Sequence, residues 1–361
     1  MSVNLKGKNV FVTGHTGFKG IWLSLLLKEM GATVSGYSLE PKQNPIYEAS
    51  HRSLFAQSWY DDIREKDKLQ KAVSGSQPDI IFHLAAQPLV IDSYRDPAYT
   101  FDVNVMGTAN LLEAVRDYSK KCGVVIITTD KVYENREWDY PYRETDRLGG
   151  HDPYSASKAC AELVIQSYRR SFFSPQTIKQ HKIALASARA GNVIGGGDWS
   201  ANRIVPDIVR AFHENNTLLI RNPEAVRPWQ HVLDALSGYL TLADRLLQDS
   251  ENQFWHDAWN FGPATEDNIA VKEIVSWAAE YWGDGKYEFG GPAAKELHEA
   301  GQLRLDCSKA TKHLGWKPVW QAKQALSKTL EWYKKRLCNH EDAAAIAMEQ
   351  IRSYLSLSTN L

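Results

Sequence analysis

A chain of 361 residues with 42 Lys plus Arg against 43 Asp plus Glu has a formal net charge of −1. That balance gives no electrostatic footprint for nucleic acid or an anionic membrane as partner, and the length allows one large α/β core with a smaller lobe. No apolar run approaches membrane-spanning length and no signal-peptide pattern opens the chain. Cys122, Cys160, Cys307 and Cys338 lack CxxC spacing, so the expectation is a soluble, cytoplasmic protein with free thiols, no disulfide framework and no metal site.

The chain opens on an apolar strand, Asn9 to Thr13, which runs into Gly14-His15-Thr16-Gly17-Phe18-Lys19-Gly20. Leu23, Leu25, Leu26, Leu27 and Met30 then recur at helical spacing, and Gly31 stops the helix. Glycines at 14, 17 and 20 let a pyrophosphate approach the backbone, with unpaired N–H groups at the helix start. Alone, the motif is explained as well by an ordinary turn with a packed glycine; its place between strand and helix favours a dinucleotide.

Further along, Ala32 to Tyr37 reads as a second strand, and 39–53 as a polar, proline-punctuated loop. A third strand is expected around Gln57 to Asp61, a short helix over 67–74 and a fourth strand over 79–84. One long helix is expected from about Pro97 to Ser119, with strands five and six at 123–129 and 183–186. Alternation at this spacing means right-handed crossovers and a doubly wound parallel (Rossmann) sheet, α/β in class, with its ligand crevice at the strand C-terminal ends. The expected division is a Rossmann domain over 1–190 with a returning segment near 228–262, and a smaller substrate lobe over 191–227 and 263–361. Seven of the twelve tryptophans lie beyond residue 250 and read as core of that lobe; a helix-like tail spans 341–357.

Asp152-Pro153 starts another helix, and the i,i+4 spacing puts Tyr154 and Lys158 on one face. A phenol, with pKa near ~10, is a poor base at neutral pH unless a cation favours its phenolate. Lys158 can supply that charge. Thr128-Thr129-Asp130-Lys131 places hydroxyl, carboxylate and amine together at the end of the fifth strand, although a polar strand cap would look the same.

Ordered together, GHTGFKG at 14–20, Asp62-Ile63, FHLAAQ at 82–87, Asn104, TTDKVY at 128–133, YSASK at 154–158, RAGN at 189–192, RIVP at 203–206, RPWQHVLD at 227–234, WNFG at 259–262 and LGWKP at 314–318 resemble the extended short-chain dehydrogenase/reductases. Within these the chain is similar to the nucleotide-sugar 4,6-dehydratases. Lys131, where the dTDP-glucose and GDP-mannose enzymes look to have Glu, makes it most similar to the members acting on CDP-glucose in deoxysugar and O-antigen biosynthesis. The resemblance implies NAD as cofactor and an internal redox cycle on a nucleotide sugar. Tyr154 would take the 4-hydroxyl proton with Thr129 beside it, Asp130 would be the acid for the 6-hydroxyl, and Lys131 is hypothesised as the C5 base.

An unshifted Lys, at ~10.4, is neutral in roughly one molecule in 2,500 at pH 7, so that last role needs a lowered pKa or passes to another group. For the cofactor the resemblance implies Gly14, His15, Thr16, Gly17, Phe18, Gly20, Ser38, Asp62, Ile63, Leu84, Ala85, Ala86 and Asn104, with Tyr154 and Lys158 at the nicotinamide ribose. For the nucleotide sugar it implies Gln87, Ser93, Asn192, Arg203, Arg221 and Arg227. Two positions depart from the family. Ser38 stands where most NAD-specific relatives have an acidic residue, which predicts weak NAD binding or tolerance of NADP. Pro88-Leu89 follows Gln87 where relatives often have Ser-His. The resemblance also implies a homodimer or homotetramer pairing the helices near 97–119 and 154–173. A 4-epimerase, a simple oxidoreductase or a cofactor-binding regulator are the competing readings.

Overall fold

A computed structural model describes residues 3–41, 44–264, 267–290 and 301–358; residues 291–300 of the expected substrate lobe lie outside the described residues. The first half alternates as expected. Strand β1 (Asn9–Thr13) leads to helix α1 (Phe18–Glu29), then come β2 (Thr33–Ser38), α2 (Pro45–Leu54), β3 (Phe55–Tyr60), α3 (Lys66–Ser76) and β4 (Ile80–His83). Next are α4 (Val90–Arg95), α5 (Pro97–Phe101), α6 (Gly107–Arg116), β5 (Cys122–Ile127), α7 (Pro153–Ser171), α8 (Ile178–His181) and β6 (Ile183–Ala190). The second half contains β7 (Val193–Ile194), α9 (Ile204–His213), β8 (Thr217–Ile220), β9 (Val226–Pro228), β10 (Gln230–His231), α10 (Val232–Gln248) and β11 (Ala258–Phe261). It ends with β12 (Asn268–Ala270), α11 (Val271–Trp282), β13 (Lys286–Phe289), α12 (Ala322–Leu337) and α13 (Ala343–Leu357).

Seven parallel strands form the main sheet in the order β11-β6-β5-β4-β1-β2-β3. The order reverses between β1 and β4, which opens the crevice at their C-terminal ends. All six residues of β5 and all eight of β6 are buried, as helix-covered parallel strands require. Strand β11 is the seventh strand that the chain-order reading left out; four residues long, it carries too little pattern to stand out.

Two expectations are corrected. The supposed loop over 39–53 holds α2, because Asn44 accepts from the N–H groups of Ile46 and Tyr47 and Pro45 occupies the first helical position. The long helix over 97–119 is split by a π-helical turn at Asp102–Met106 and ends at Arg116. At that turn Asn104 reaches across to Gln87 and Ser157. Leu111, Leu112, Ala114 and Val115 of α6 are all buried within the subunit, on the side of the core facing β4 and β5.

In the second half Trp259, Trp316, Trp320 and Trp332 are buried in one cluster with α10, α12 and α13. The tail helix packs there through Ile346, Ala347, Ile351 and Tyr354, whereas Ala345 is exposed. The triple glycine at 195–197 answers to packing: a Cβ on Gly196 would lie 2.1 Å from the Trp332 ring.

Candidate active site

At the switch point, the loop after β1 turns on Gly14 at φ +73°, whose N–H donates to Tyr37 O at 2.8 Å. A Cβ there would lie 2.8 Å from Ala85 N, and one on Gly20 would lie 2.1 Å from Gly14 O. The glycines are therefore demanded by the close approach of loop, β4 end and helix start. Thr13 ties these pieces together, pairing with His83 Nδ1 at 2.7 Å and accepting from Ala85 N at 3.2 Å. Leu84 N in turn donates to Thr13 O.

The catalytic candidates meet one strand further along. Thr129 at the end of β5 donates to Asp130 Oδ1 at 2.9 Å, and the same side chain acts on the Tyr154 phenol, favouring its ionised form. Tyr154 is placed by α7, which starts where sequence reasoning put it: Asp152 caps the helix by accepting from Ser155 N at 2.9 Å, with Pro153 first inside. Base and acid candidates thus share one hydroxyl.

Burial pushes Asp130 upward from the ordinary carboxylate range, against the pull of Lys131, Thr129, Arg227 and Lys19. Its Oδ2 is buried with no protein partner among the described residues. A neutral carboxyl with one free oxygen is the form that donates a proton. Burial also pushes Tyr154 up to about 12, opposed by Thr129 and Arg203. Desolvation thus outweighs the neighbouring Arg203 charge that favours the phenolate. Lys158 is buried, donates to Ile127 O at 3.2 Å, and is lowered to about 8 by burial, with Glu162 opposing.

The other expected residues divide. Ser38 pairs with Thr16 Oγ1 at 2.8 Å at the end of β2, so a hydroxyl pair stands at the adenosine end. Asp62 is engaged by Arg64 at 2.8 Å, and Ile63 is buried against Gly107. Phe18 lies against Gly195, and Ala85 and Ala86 line the β4 end half-buried. His15 is corrected to a packing role: its ring is buried among Tyr47, Phe55 and Tyr60, over Gly36, and burial lowers it to about 4.

Asn104 is a tether between Gln87 and Ser157. Gln87 is spent on Leu89 and Thr100, and Ser93 donates to Val90 O, so these two are corrected to internal supports. Their amide and hydroxyl types looked the same in sequence as sugar-binding groups.

Of the phosphate candidates, Arg203 donates to Asp198 Oδ2 at 2.9 Å and its charge reaches Tyr154 and Lys19. Arg227 donates to Val226 O and Gly301 O and its charge reaches Asp130. The Asn192 carbonyl accepts from Gln230 N at 3.1 Å. Arg221 is exposed beyond β8 and acts on Asp207 of α9, which corrects its assignment to the crevice.

Sequence reasoning passed over Lys19, which lies at the helix start yet turns into the crevice. Burial first, then Arg203 and Lys158, lower it to about 8. Three cations converging beside a glycine turn fit the diphosphates of a dinucleotide and of a nucleotide sugar, and the glycine contacts leave the backbone approachable there. The residues present therefore fit NAD.

Comparison with known proteins agrees. The family model described as GDP-mannose 4,6 dehydratase matches residues 11–329. A CDP-glucose 4,6-dehydratase of Salmonella typhimurium is 48% identical over 356 residues, covering 98% of each chain. A CDP-paratose 2-epimerase of Salmonella typhi is 27% identical, covering 76% of this chain and 83% of its own. Among solved structures, a dTDP-glucose 4,6-dehydratase of Bacillus anthracis in complex with NAD superposes with a TM-score of 0.72 at 21% identity, covering 91% and 97% of the two chains. A UDP-glucose 4-epimerase of Thermotoga maritima with UDP-glucose gives 0.75 at 23%, covering 91% and 99%. The chain belongs to the GDP-mannose 4,6 dehydratase family.

Proposed function

We propose that the chain converts CDP-glucose to CDP-4-keto-6-deoxyglucose and water. The observation that carries this reading is the juxtaposition of Tyr154 and Asp130 about the Thr129 hydroxyl. The relative that is 48% identical over nearly the whole chain supplies the nucleotide.

NAD, held by the glycine turn at 14–20 with Tyr154 and Lys158, would supply a reversible two-electron oxidant for C4 that returns the same two electrons at C6. Tyr154, in its phenolate form, takes the proton of the 4-hydroxyl while Thr129 holds the same oxygen. The 4-ketone acidifies C5, and Lys131, in its free-amine form, takes that proton. Asp130, whose protonated form burial favours, gives its proton to the departing 6-hydroxyl, and the C5–C6 elimination releases water. Lys131 later returns its proton to C5. The proton left on Tyr154 replaces the one lost by Asp130, and Thr129 lies between the two. Atoms therefore balance over the cycle.

The nucleotide-sugar lobe is drawn from 191–227 and 263–361, with Arg203 and Arg227 on the diphosphate. Met106, Leu163 and Phe172 are large, apolar and exposed along the π-turn and α7, and support subunit pairing across the α6–α7 face into a dimer or tetramer. Four unpaired cysteines suit a reducing compartment such as the cytoplasm.

Incubation with NAD and CDP-glucose, dTDP-glucose, UDP-glucose or GDP-mannose tests the function. A 4-keto-6-deoxy product from CDP-glucose without net NADH is expected. A C4 epimer, or turnover confined to another nucleotide, would replace the reading.

A further inference from the structure

Helix α7 carries three ionisable groups at one-turn intervals on a single face: Tyr154, Lys158 and Glu162. Glu162 takes no part in the chemistry above, yet its carboxylate is among the most completely satisfied groups in the molecule. Oε1 accepts from Thr128 Oγ1 at 2.6 Å and from Arg189 Nε at 3.0 Å. Oε2 accepts from Ser187 Oγ at 2.9 Å and from Arg189 Nη2 at 2.9 Å. Both partners of the ion pair are 1% exposed. Arg189 continues to the Tyr133 hydroxyl at 2.9 Å and to Glu144 O at 3.1 Å, and Tyr133 donates to Asn260 at 2.7 Å.

A buried ion pair is poor value as a source of stability, since a well-packed apolar pair of similar volume usually serves as well. Its position suggests another use. On the elements packed on Lys158, the charged or titratable groups are Tyr154 and Glu162 of α7, Asp130 and Lys131 of the turn after β5, His83 of β4, Lys19 of the glycine loop and, behind Glu162, Arg189 of β6. His83 is neutral, lowered to about 3 by burial and by Lys158 itself. Lys19 repels Lys158. Glu162 is thus the anion that acts on the Lys158 ammonium.

We propose that Glu162, locked in place by Arg189, Thr128 and Ser187, is a positioning residue that holds Lys158 in its charged form at the cofactor crevice. The function proposed above supplies the reason, since the charged amine belongs to the apparatus that readies Tyr154. The arrangement also explains the full hydrogen-bond complement. A carboxylate left free would fold onto Lys158 and withdraw it from the ligand, whereas one held by four donors acts through its field alone.

The test is the pH dependence of NAD affinity, by calorimetry, beside that of turnover of CDP-glucose. Wild type is compared with Glu162→Gln, Glu162→Asp and the double variant Glu162→Gln/Arg189→Met. Removing the carboxylate lets Lys158 lose its proton at lower pH, so the alkaline limb of both profiles moves down by roughly one unit or more in E162Q. E162D keeps the charge and leaves the limb in place, whatever its rate. The double variant removes the unpaired cation as well; it guards against misfolding of E162Q and shifts in the same direction by less. Folded variants that lose affinity or rate equally at all pH values, with the limb unmoved, would overturn the proposal and leave Glu162 a packing residue. If wild type binds NAD with the expected limb but does not turn over CDP-glucose, the substrate reading fails and this inference stands.

Discussion

Gly191 faces Asp130 so closely that a Cβ on the glycine would lie 2.8 Å from Asp130 Oδ2 and 2.5 Å from Pro228 Cγ. The free oxygen of the proposed acid thus looks at the one residue type that leaves it room. Gly191→Ala is expected to overpack this corner at a cost of about 1–3 kcal/mol. Thermal unfolding should show the loss, and elimination should suffer more than NAD binding. An alanine variant with wild-type melting and turnover would show that the corner yields freely.

Asp130→Asn tests the acid itself. General acid catalysis contributes about 10²–10⁴-fold, so product formation should fall within that range while oxidation at C4, seen as transient NADH absorbance, persists. Because burial raises Asp130, its proton-donating form is lost as pH rises through that raised pKa. Turnover by the native enzyme should therefore decline on the alkaline side, and this component should be missing from the residual activity of D130N.

Lys131→Met separates proton abstraction from sugar positioning. If Lys131 is the C5 base, solvent deuterium incorporation at C5 stops while NADH still forms from CDP-glucose. Exchange at the native rate would pass the role to another group.

Gly20→Ala bears on the cofactor loop. With a Cβ only 2.1 Å from Gly14 O, loop and helix start must separate. NAD affinity should drop at least tenfold, measured by calorimetry, with a smaller change in affinity for CDP-glucose.

Asp234, buried beneath the C-terminal helix, accepts from Val319 N and from the Tyr354 hydroxyl at 2.8 Å, and burial raises it to about 7. Its unfolded value is near ~3.9, so between these limits the folded state holds the extra proton and stability falls as pH rises. Asp234→Asn removes that dependence. The melting temperature of D234N relative to wild type should improve from pH 5 upward and level off above about pH 7, and parallel curves would show that Asp234 does not titrate in this range.

Much of the crevice was legible in linear order. Gly14, Gly17 and Gly20 are set by local geometry at a strand-to-helix turn, and Asp152-Pro153 fixes the start of α7 and so the face that carries Tyr154 and Lys158. Thr129 and Asp130 follow an apolar strand whose end must open on the crevice. The internal bonds of Gln87, Ser93 and Asn104 were not legible, because an amide or hydroxyl near a strand end looks the same whether it holds a ligand or its own backbone.

By itself the sequence determined the periodicities, the caps and the glycine turns, all properties of residues within a few positions of one another, together with the ordered motifs of the family. Only the tertiary structure decided which polar groups are desolvated and what they face. It brings Lys19 and Arg203 into one crevice and His15 into an aromatic cage, and it sets Glu162 against Arg189 across 27 residues of chain. Desolvation and Coulomb interaction depend on distance in space rather than in sequence, and the charge states of Tyr154, Asp130 and Lys158 follow from them.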